Sequence, residues 1–552
     1  MAAYSIDAVQ ARSELAWSRK ANWQALLAEC YDYALPDRSP YTGNGSGKPQ
    51  GQAIPAGTDK SSPRVFDSTL QNAAVKLCNR LQYDLFPMGQ HWADLVPGPF
   101  AGAGGEEGPD ETSMRRELTT LQNVLFASLQ LSNFDLSISE WLQELVVAGT
   151  AVMVTTRGDD VDPVVHRCVS QAHTAFLEGP NGRVEFVSIK HRMRLDQIEG
   201  QWSDAKRIPN PDPTAKDKVP PEYDLIEVCY YDRADGVWRY EVHICGKAGS
   251  GKKEASRIVQ REYGVTPITV SRWSKSVEEV QGRSLVMAAL PDARVLSAVK
   301  NFLLKQAALA IAGVFLVKND GVVNANNVRI YPGATIPVRS TGGSNGASVE
   351  PLHVGGDINL AQLVIQDLQE SINKIMLNTG LPEISDGVRS ATEFIERLKD
   401  MQQSIGAPFS RILREGIVPM LEAHLQVLAE IGVVQAPEDG IFRLNAGEIE
   451  LRFTSPLVQG QAAREVERFV QGVQIVQQVG GPQATELLGL SMKIEEATDW
   501  VFKKLNVDPK LLRTPDEKEA LQQMAGQAAA AQQGAPVDPG MEDPTAMEGV
   551  AA

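Results

Sequence analysis

Two glycine-rich stretches carry the residue types of catalytic loops. GNGSGKP at 43–49 sets Gly47-Lys48 as a phosphate-binding loop does, with backbone N–H groups and a lysine facing phosphate oxygens. That chemistry also needs a glycine opening the loop and a hydroxyl after the lysine to hold magnesium, and Thr42 and Pro49 stand there instead. GGSNG at 342–346 matches the GxSxG pattern of a serine nucleophile, yet it lies in a Ser/Thr/Gly/Asn tract with no helix after it to form the strained elbow. Both read as surface loops. A hydrolase using Ser344 is the rival reading from the enzyme class, and it predicts activity that Ser344→Ala abolishes.

Metal chemistry has equally thin support. Asp159, Asp160, Asp162 and His166 crowd one segment, but Pro163 interrupts it and calcium-loop spacing is missing, so a solvated turn is expected. His166, His173 and His191 recur at irregular spacing in hairpin sequence, where histidines are ordinarily surface or hydrogen-bonded residues. Cys30, Cys78, Cys168, Cys229 and Cys245 are odd in number and lack CxxC spacing, which argues against a disulfide framework and a zinc site and for a reducing cytosol. No catalytic residue, cofactor or metal site is expected.

The elements that would position any site follow from periodicity. A chain of 552 residues exceeds one hydrophobic core and predicts several regions. Helices are expected over 7–34, 63–85 (Ser62-Pro63 start, apolar stripe Val65, Leu70, Leu77, Leu81, Leu85), 114–130 and 134–148, the last ended by Gly149. From 151 to 283 the composition turns β-branched and aromatic, with hairpin turns at Pro180-Asn181-Gly182 and Asp235-Gly236, and an antiparallel sheet follows.

A long helix is expected from Pro291 to Ala312, a compact β insertion over 314–356, and a second long helix from Asp357 to Gly380-Leu381-Pro382. After the polar loop 383–389, Ser390 and Glu393 open an apolar-periodic run to Ile431 in which Pro408 and Pro419 predict kinks. Helices resume over 461–525, and the Ala/Gln/Pro/Gly-rich remainder is expected to be disordered.

Composition excludes some functions. No apolar run reaches membrane length, the longest being Ala307–Val317 between Lys305 and Lys318, and no membrane role is expected. Asp7, Arg12, Glu14 and Arg19 interrupt the N-terminal segment, unlike a secretory signal. A net charge of −16 repels polyanions, so tight gripping of nucleic-acid phosphates is not expected, although DNA can pass such a surface.

The order of elements, with YDYALPDRSP (31–40), FDSTLQNAAVKLCNRLQYDLFPMGQHWADL (66–95), TPITVSRWSKSVEEVQGRS (266–284) and SATEFIERLKDM (390–401), resembles the podovirus-type bacteriophage head-to-tail connector, or portal, family over roughly 1–520. The resemblance implies a mixed α+β, predominantly helical, ring-forming portal-type fold. Its regions are a wing (1–283), a first stem helix (284–313), a clip (314–356), a second stem helix (357–380), a channel loop with a kinked helix completing the wing (381–458), a crown (459–525) and a tail (526–552). It also implies a homo-oligomeric ring of twelve copies at the portal vertex of the virion, assembled in the host cytoplasm. Its implied partners are the terminase large subunit, tail and adaptor proteins, capsid and scaffolding proteins, and double-stranded DNA passing without sequence-specific binding. Glu383, Ser385, Asp386, Arg389 and Lys374 would face that DNA, Arg389 and Lys374 as scarce cations. Another phage ring, adaptor or internal core component is the structural alternative.

Overall fold

The structure, a computed structural model, describes residues 5–36, 65–98, 111–159, 161–202, 204–205, 222–247, 256–312, 315–318, 335–338, 349–351, 358–378, 408–437, 440–445, 449–453, 466, 468–474, 497 and 501. Mixed α/β architecture with helices predominating is observed, as expected. The chain divides into two compact units, Met1–Leu457 and Val458–Ala552. In the second unit residues 468–474 are helical.

The first unit is organised by an antiparallel five-stranded sheet in sequence order, β4 (Thr174–Glu178), β5 (Val184–Arg194), β6 (Glu222–Asp232), β7 (Val237–Lys247) and β8 (Ser256–Tyr263). Both expected hairpin turns form, with Gly182 and Gly236 at φ +71. Strand alternation then sends side chains to two faces. On one, Val228, Tyr230, Phe186 and Ala175 meet Val9, Ala16 and Trp17 of α1 (Ile6–Lys20); on the other, Leu225, Cys229, Tyr240 and Val242 build the larger core.

A second antiparallel sheet, ordered β3 (Val164–Val169), β2 (Thr150–Arg157), β9 (Ile268–Arg272), joins the first to the helices. Here α2 (Gln24–Ala34), α3 (Thr69–Leu85), α4 (Glu111–Leu131) and α5 (Phe134–Ala148) pack with one another or against the strands, burying Leu27, Tyr31, Leu77, Leu81, Trp141 and Leu145. Gly149 ends α5 as expected, at φ +74, and a Cβ there would lie 2.6 Å from the backbone of Arg283 and Ser284. Two chain segments cross backbone to backbone at this point. The short α6 (Leu195–Gln201) follows β5.

Several expectations shift. The third helix begins at Thr69, not Pro63: residues 65–68 are not helical, and the Asp67 carboxylate accepts the Thr69 N–H at 2.7 Å. The long helix α7 spans Leu285–Ala312, so Pro291 lies inside it and is not its first residue. Ser284 starts it by accepting the Met287 N–H at 2.9 Å, and burial of Val286, Ala289 and Leu290 holds the extra turns despite the proline's missing donor. Next, β10 (Phe315–Lys318) pairs parallel with β11 (Thr335–Val338) and antiparallel with β12 (Val349–Pro351), the small β insertion expected there, before α8 (Ile358–Ile375).

The run ending at Ile431 departs from α geometry through a π-helical segment, Ile412–Ile417, that leads into α9 (Val418–Ile431). Pro419 sits in the first turn of α9, directly after that wider turn. Gly416 lies against Trp141 and Ser271, where a Cβ would come within 2.8 Å of the indole, and this close approach accompanies the extra residue in the turn. One pairing had no local signal: β1 (Ala93–Pro97) runs antiparallel to β13 (Ile449–Phe453).

Candidate functional site

The long helices α7 and α8 pack against each other and divide into anchored and projecting halves. The first half of α7 buries Val286, Leu290, Ala293 and Leu296, and the last part of α8 buries Ile372 with Met376 just beyond it. Polar latches fix the pair. Ser371 donates to Asp292 at 2.7 Å, and Asp67 accepts Gln369 at 3.2 Å and pairs with Lys300. Asn378 reaches the Ala73 carbonyl at 2.8 Å, and Arg294 pairs with Glu29.

The remaining halves present apolar side chains to solvent. On α7 Phe302 is 67% exposed, Leu304 56% and Ile311 88%, with Val295 half exposed; on α8 Leu360 and Leu363 are exposed likewise. At ~100° per residue Val295 and Phe302 share one face of α7, while Leu304 and Ile311 share another about 160° around the helix. Exposed leucines, isoleucines and phenylalanines in this number leave apolar surface on two faces of α7.

Of the residues expected to face DNA, Lys374 is described: it lies on α8, is largely exposed, and pairs with Glu370 one turn back at 2.8 Å, which raises its pKa and cancels its charge locally. Glu383, Ser385, Asp386 and Arg389 lie outside the described residues, as do Ser344 with its loop and the 43–49 loop.

The structure does not gather Asp159, Asp162 and His166. Asp159 caps a turn, accepting the N–H groups of Val161 and Asp162, and Asp160 lies outside the described residues. No group of His, Cys, Asp and Glu among the described residues suits a metal ion. His166 points instead into the core, where its Nε2 meets Nδ1 of His424 at 2.9 Å, with ring planes 6° apart. Thr155 Oγ1 lies 3.1 Å from His166 Nδ1, and His424 Nε2 lies 2.9 Å from Ser128 Oγ, giving a four-residue buried chain. Burial lowers the His166 pKa to about 4; burial and the neighbouring His166 hold His424 well below its ordinary value.

His191 belongs to another buried network. Its Nε2 donates to Glu227 at 2.6 Å, and Arg167 and Tyr240 donate to the same carboxylate at 2.9 and 2.8 Å. Burial acts to raise the Glu227 pKa, but the Arg167 charge and these hydrogen bonds overcome it and keep the group ionised. His424 and Glu227 were not singled out from sequence, since each depends on a partner far along the chain. Both networks are internally satisfied, which makes them structural braces more than reactive centres. Cys30, Cys78 and Cys229 are buried, and burial pushes each thiol up to about 12, away from nucleophilic chemistry.

No curated protein matches the chain. Among solved structures it is similar to a chain of the neck of an empty GTA particle computed with C6 symmetry, at 11% identity and TM-score 0.31, covering 73% of this chain and 86% of that one. It is also similar to a chain from the neck of the native GTA particle computed with C12 symmetry, at 11% identity and TM-score 0.32, covering 77% and 94%. A third, from the virion of the native gene transfer agent particle, has 10% identity, TM-score 0.30 and coverage of 75% and 91%. The family model described as bacteriophage head to tail connecting protein matches residues 7–512. Spanning nearly its whole length on that model, the chain belongs to the family of bacteriophage head-to-tail connecting proteins.

Proposed function

We propose that copies of this chain close into a ring at the portal vertex, between capsid and tail, and that the ring is the channel through which double-stranded DNA is packaged and ejected. The observation that carries this reading is the pair of opposed apolar faces on α7. A single self-complementary contact hides one patch, whereas a head-to-tail contact uses two different surfaces per copy and closes into a ring when the rotation permits. Full burial of a Val, Leu, Ile or Phe side chain is worth ~1.5–3 kcal/mol, so covering the exposed parts of two on each face contributes roughly 4–8 kcal/mol per contact.

The proposed roles along the chain follow the family resemblance: wing 1–283, stem helices 284–313 and 357–380, clip 314–356, channel loop and wing completion 381–458, crown 459–525 and tail 526–552. Twelve copies, docking of terminase and tail proteins, contact with capsid and scaffolding proteins, and assembly in the host cytoplasm belong to the same reading. The net charge of −16 supports transit without capture, because a surplus of carboxylates opposes the replacement of phosphate counterions by fixed cations. Lys374, paired with Glu370, fits a weak contact. The role is structural, and catalysis is left to other chains.

Paired charge substitutions test the ring. Phe302→Asp and Ile311→Asp should each leave the chain folded and stop assembly in sedimentation and negative-stain imaging. Mixed together, the two variants should form dimers only, since each retains the face the other has lost. Larger rings from either variant, or no dimers on mixing, would refute a head-to-tail contact through α7.

A further inference from the structure

A cleft of about 1310 Å³ opens between the five-stranded sheet and the segment that runs through the π turn into α9. Seven arginine or lysine side chains and three glutamates line it, a local surplus of positive charge on a chain whose net charge is −16. The lining acids are largely committed. Glu415 takes Arg272 through both oxygens, at 2.9 and 2.8 Å, and also Arg411 at 2.8 Å, while Glu185 takes Arg233. Arg183 and Arg414 are exposed cations of the cleft, and Arg443 is exposed beside them.

Apolar surface from Pro419, Ile441 and Phe442 lies between these charges. The volume exceeds the ~300–1,000 Å³ of ordinary small-molecule sites. A wall that mixes arginines with hydrophobic side chains suits a peptide segment carrying carboxylates better than a uniformly charged phosphate backbone, which calls for an open basic track.

We infer that this cleft is a docking socket for an acidic surface segment of a second copy of the chain, so that the neighbour supplies the carboxylates that complete it. The inference rests on the ring reading above and assigns a second, electrostatic contact in addition to α7. Charge complementarity favours this occupant: the chain carries 69 acidic against 53 basic residues, and the cleft gathers cations. Glu422 in the wall responds to the same event. Burial raises its pKa to about 7 against the pull of the Leu444 N–H, Arg183 and Arg443, so an arriving carboxylate meets a group able to take up a proton and not a second fixed negative charge.

Zero-length carbodiimide coupling on the full chain tests the socket. Arg414→Lys introduces an amine at the cleft, and rings are assembled from an equal mixture of light and isotopically heavy copies. Coupling from position 414 to an aspartate or glutamate should join heavy to light peptides; coupling confined to single copies, or none, overturns the inference.

Arg183→Glu with Arg414→Glu should weaken association roughly a hundredfold while the melting temperature of the unassembled chain is retained. Rings that form unchanged with both reversals sink the socket and leave the α7 contact standing, whereas a wild-type chain that never leaves the monomer sinks both. If a short DNA duplex binds the wild type in fluorescence anisotropy, and the double reversal abolishes that binding without altering assembly, the ligand is nucleic acid and the inference falls.

Discussion

Acid should loosen this fold at the paired histidines, and by a calculable amount. His166 and His424 are buried and sit edge to edge with Thr155 and Ser128 at the two ends, and the groups in hydrogen-bond contact with them carry no negative charge. The folded state therefore disfavours the imidazolium, with His166 lowered from 6.5 to about 4. The unfolded chain binds a proton near 6.5 while the folded one resists until about 4, so stability is full above that window and falls as pH drops through it. For His166 alone the loss is about 3 kcal/mol, at ~1.36 kcal/mol per pH unit. Glu422 acts oppositely over nearly the same range, because its carboxyl, raised to about 7, is relieved of charge on acidification. The clean measurement is thus a difference between proteins. Urea denaturation followed by tryptophan fluorescence, from pH 6.5 down to about 4, should show the wild type losing at least about 3 kcal/mol more than His166→Gln/His424→Gln, with His424 adding to the loss at His166. Parallel pH profiles for the two proteins would refute the assignment of the buried pair as neutral.

Other perturbations follow from close contacts. Gly149→Ala combines a positive φ with a Cβ 2.6 Å from backbone atoms and should cost about 3 kcal/mol or more in thermal denaturation. Glu227→Ala leaves Arg167 without its buried counter-charge and should destabilise by ~3–5 kcal/mol; Glu227→Gln, keeping the shape, should recover part of that loss. Truncation after Ala525 should leave ring assembly intact by sedimentation, since the removed segment has almost no large apolar residues, Met541 and Met547 aside.

The readable part of this fold was the part written locally. Gly149, Asn181-Gly182 and Asp235-Gly236 carry their turn geometry in their own backbone freedom, and they fall where expected. The pairing of two long helices around a β insertion was legible from 3.6-residue periodicity giving way to β-branched runs. Pro291 misled, because the buried turn before it, Val286 to Leu290, outweighs one missing hydrogen bond. The pairing of β1 with β13 was invisible, since neither five-residue strand announces a partner so far along the chain. For His166 and His191 the sequence left surface and hydrogen-bonded placements open, and their partners His424 and Glu227 were not legible, for the same reason of distance in sequence. The loop expected to face DNA and the GxSxG run fall outside the described residues.

The π turn at Ile412–Ile417 works as a phase shifter. One added residue in a helix advances everything after it by ~100° about the axis. Within the turn Glu415 is aimed at Arg272, and downstream His424 is aimed at His166 while Leu421, Leu425 and Leu428 enter the core. Deleting a single residue there would keep the helix and its composition yet rotate the histidine off its partner and the leucines toward water, so the spacing between Glu415 and His424 matters as much as their identities.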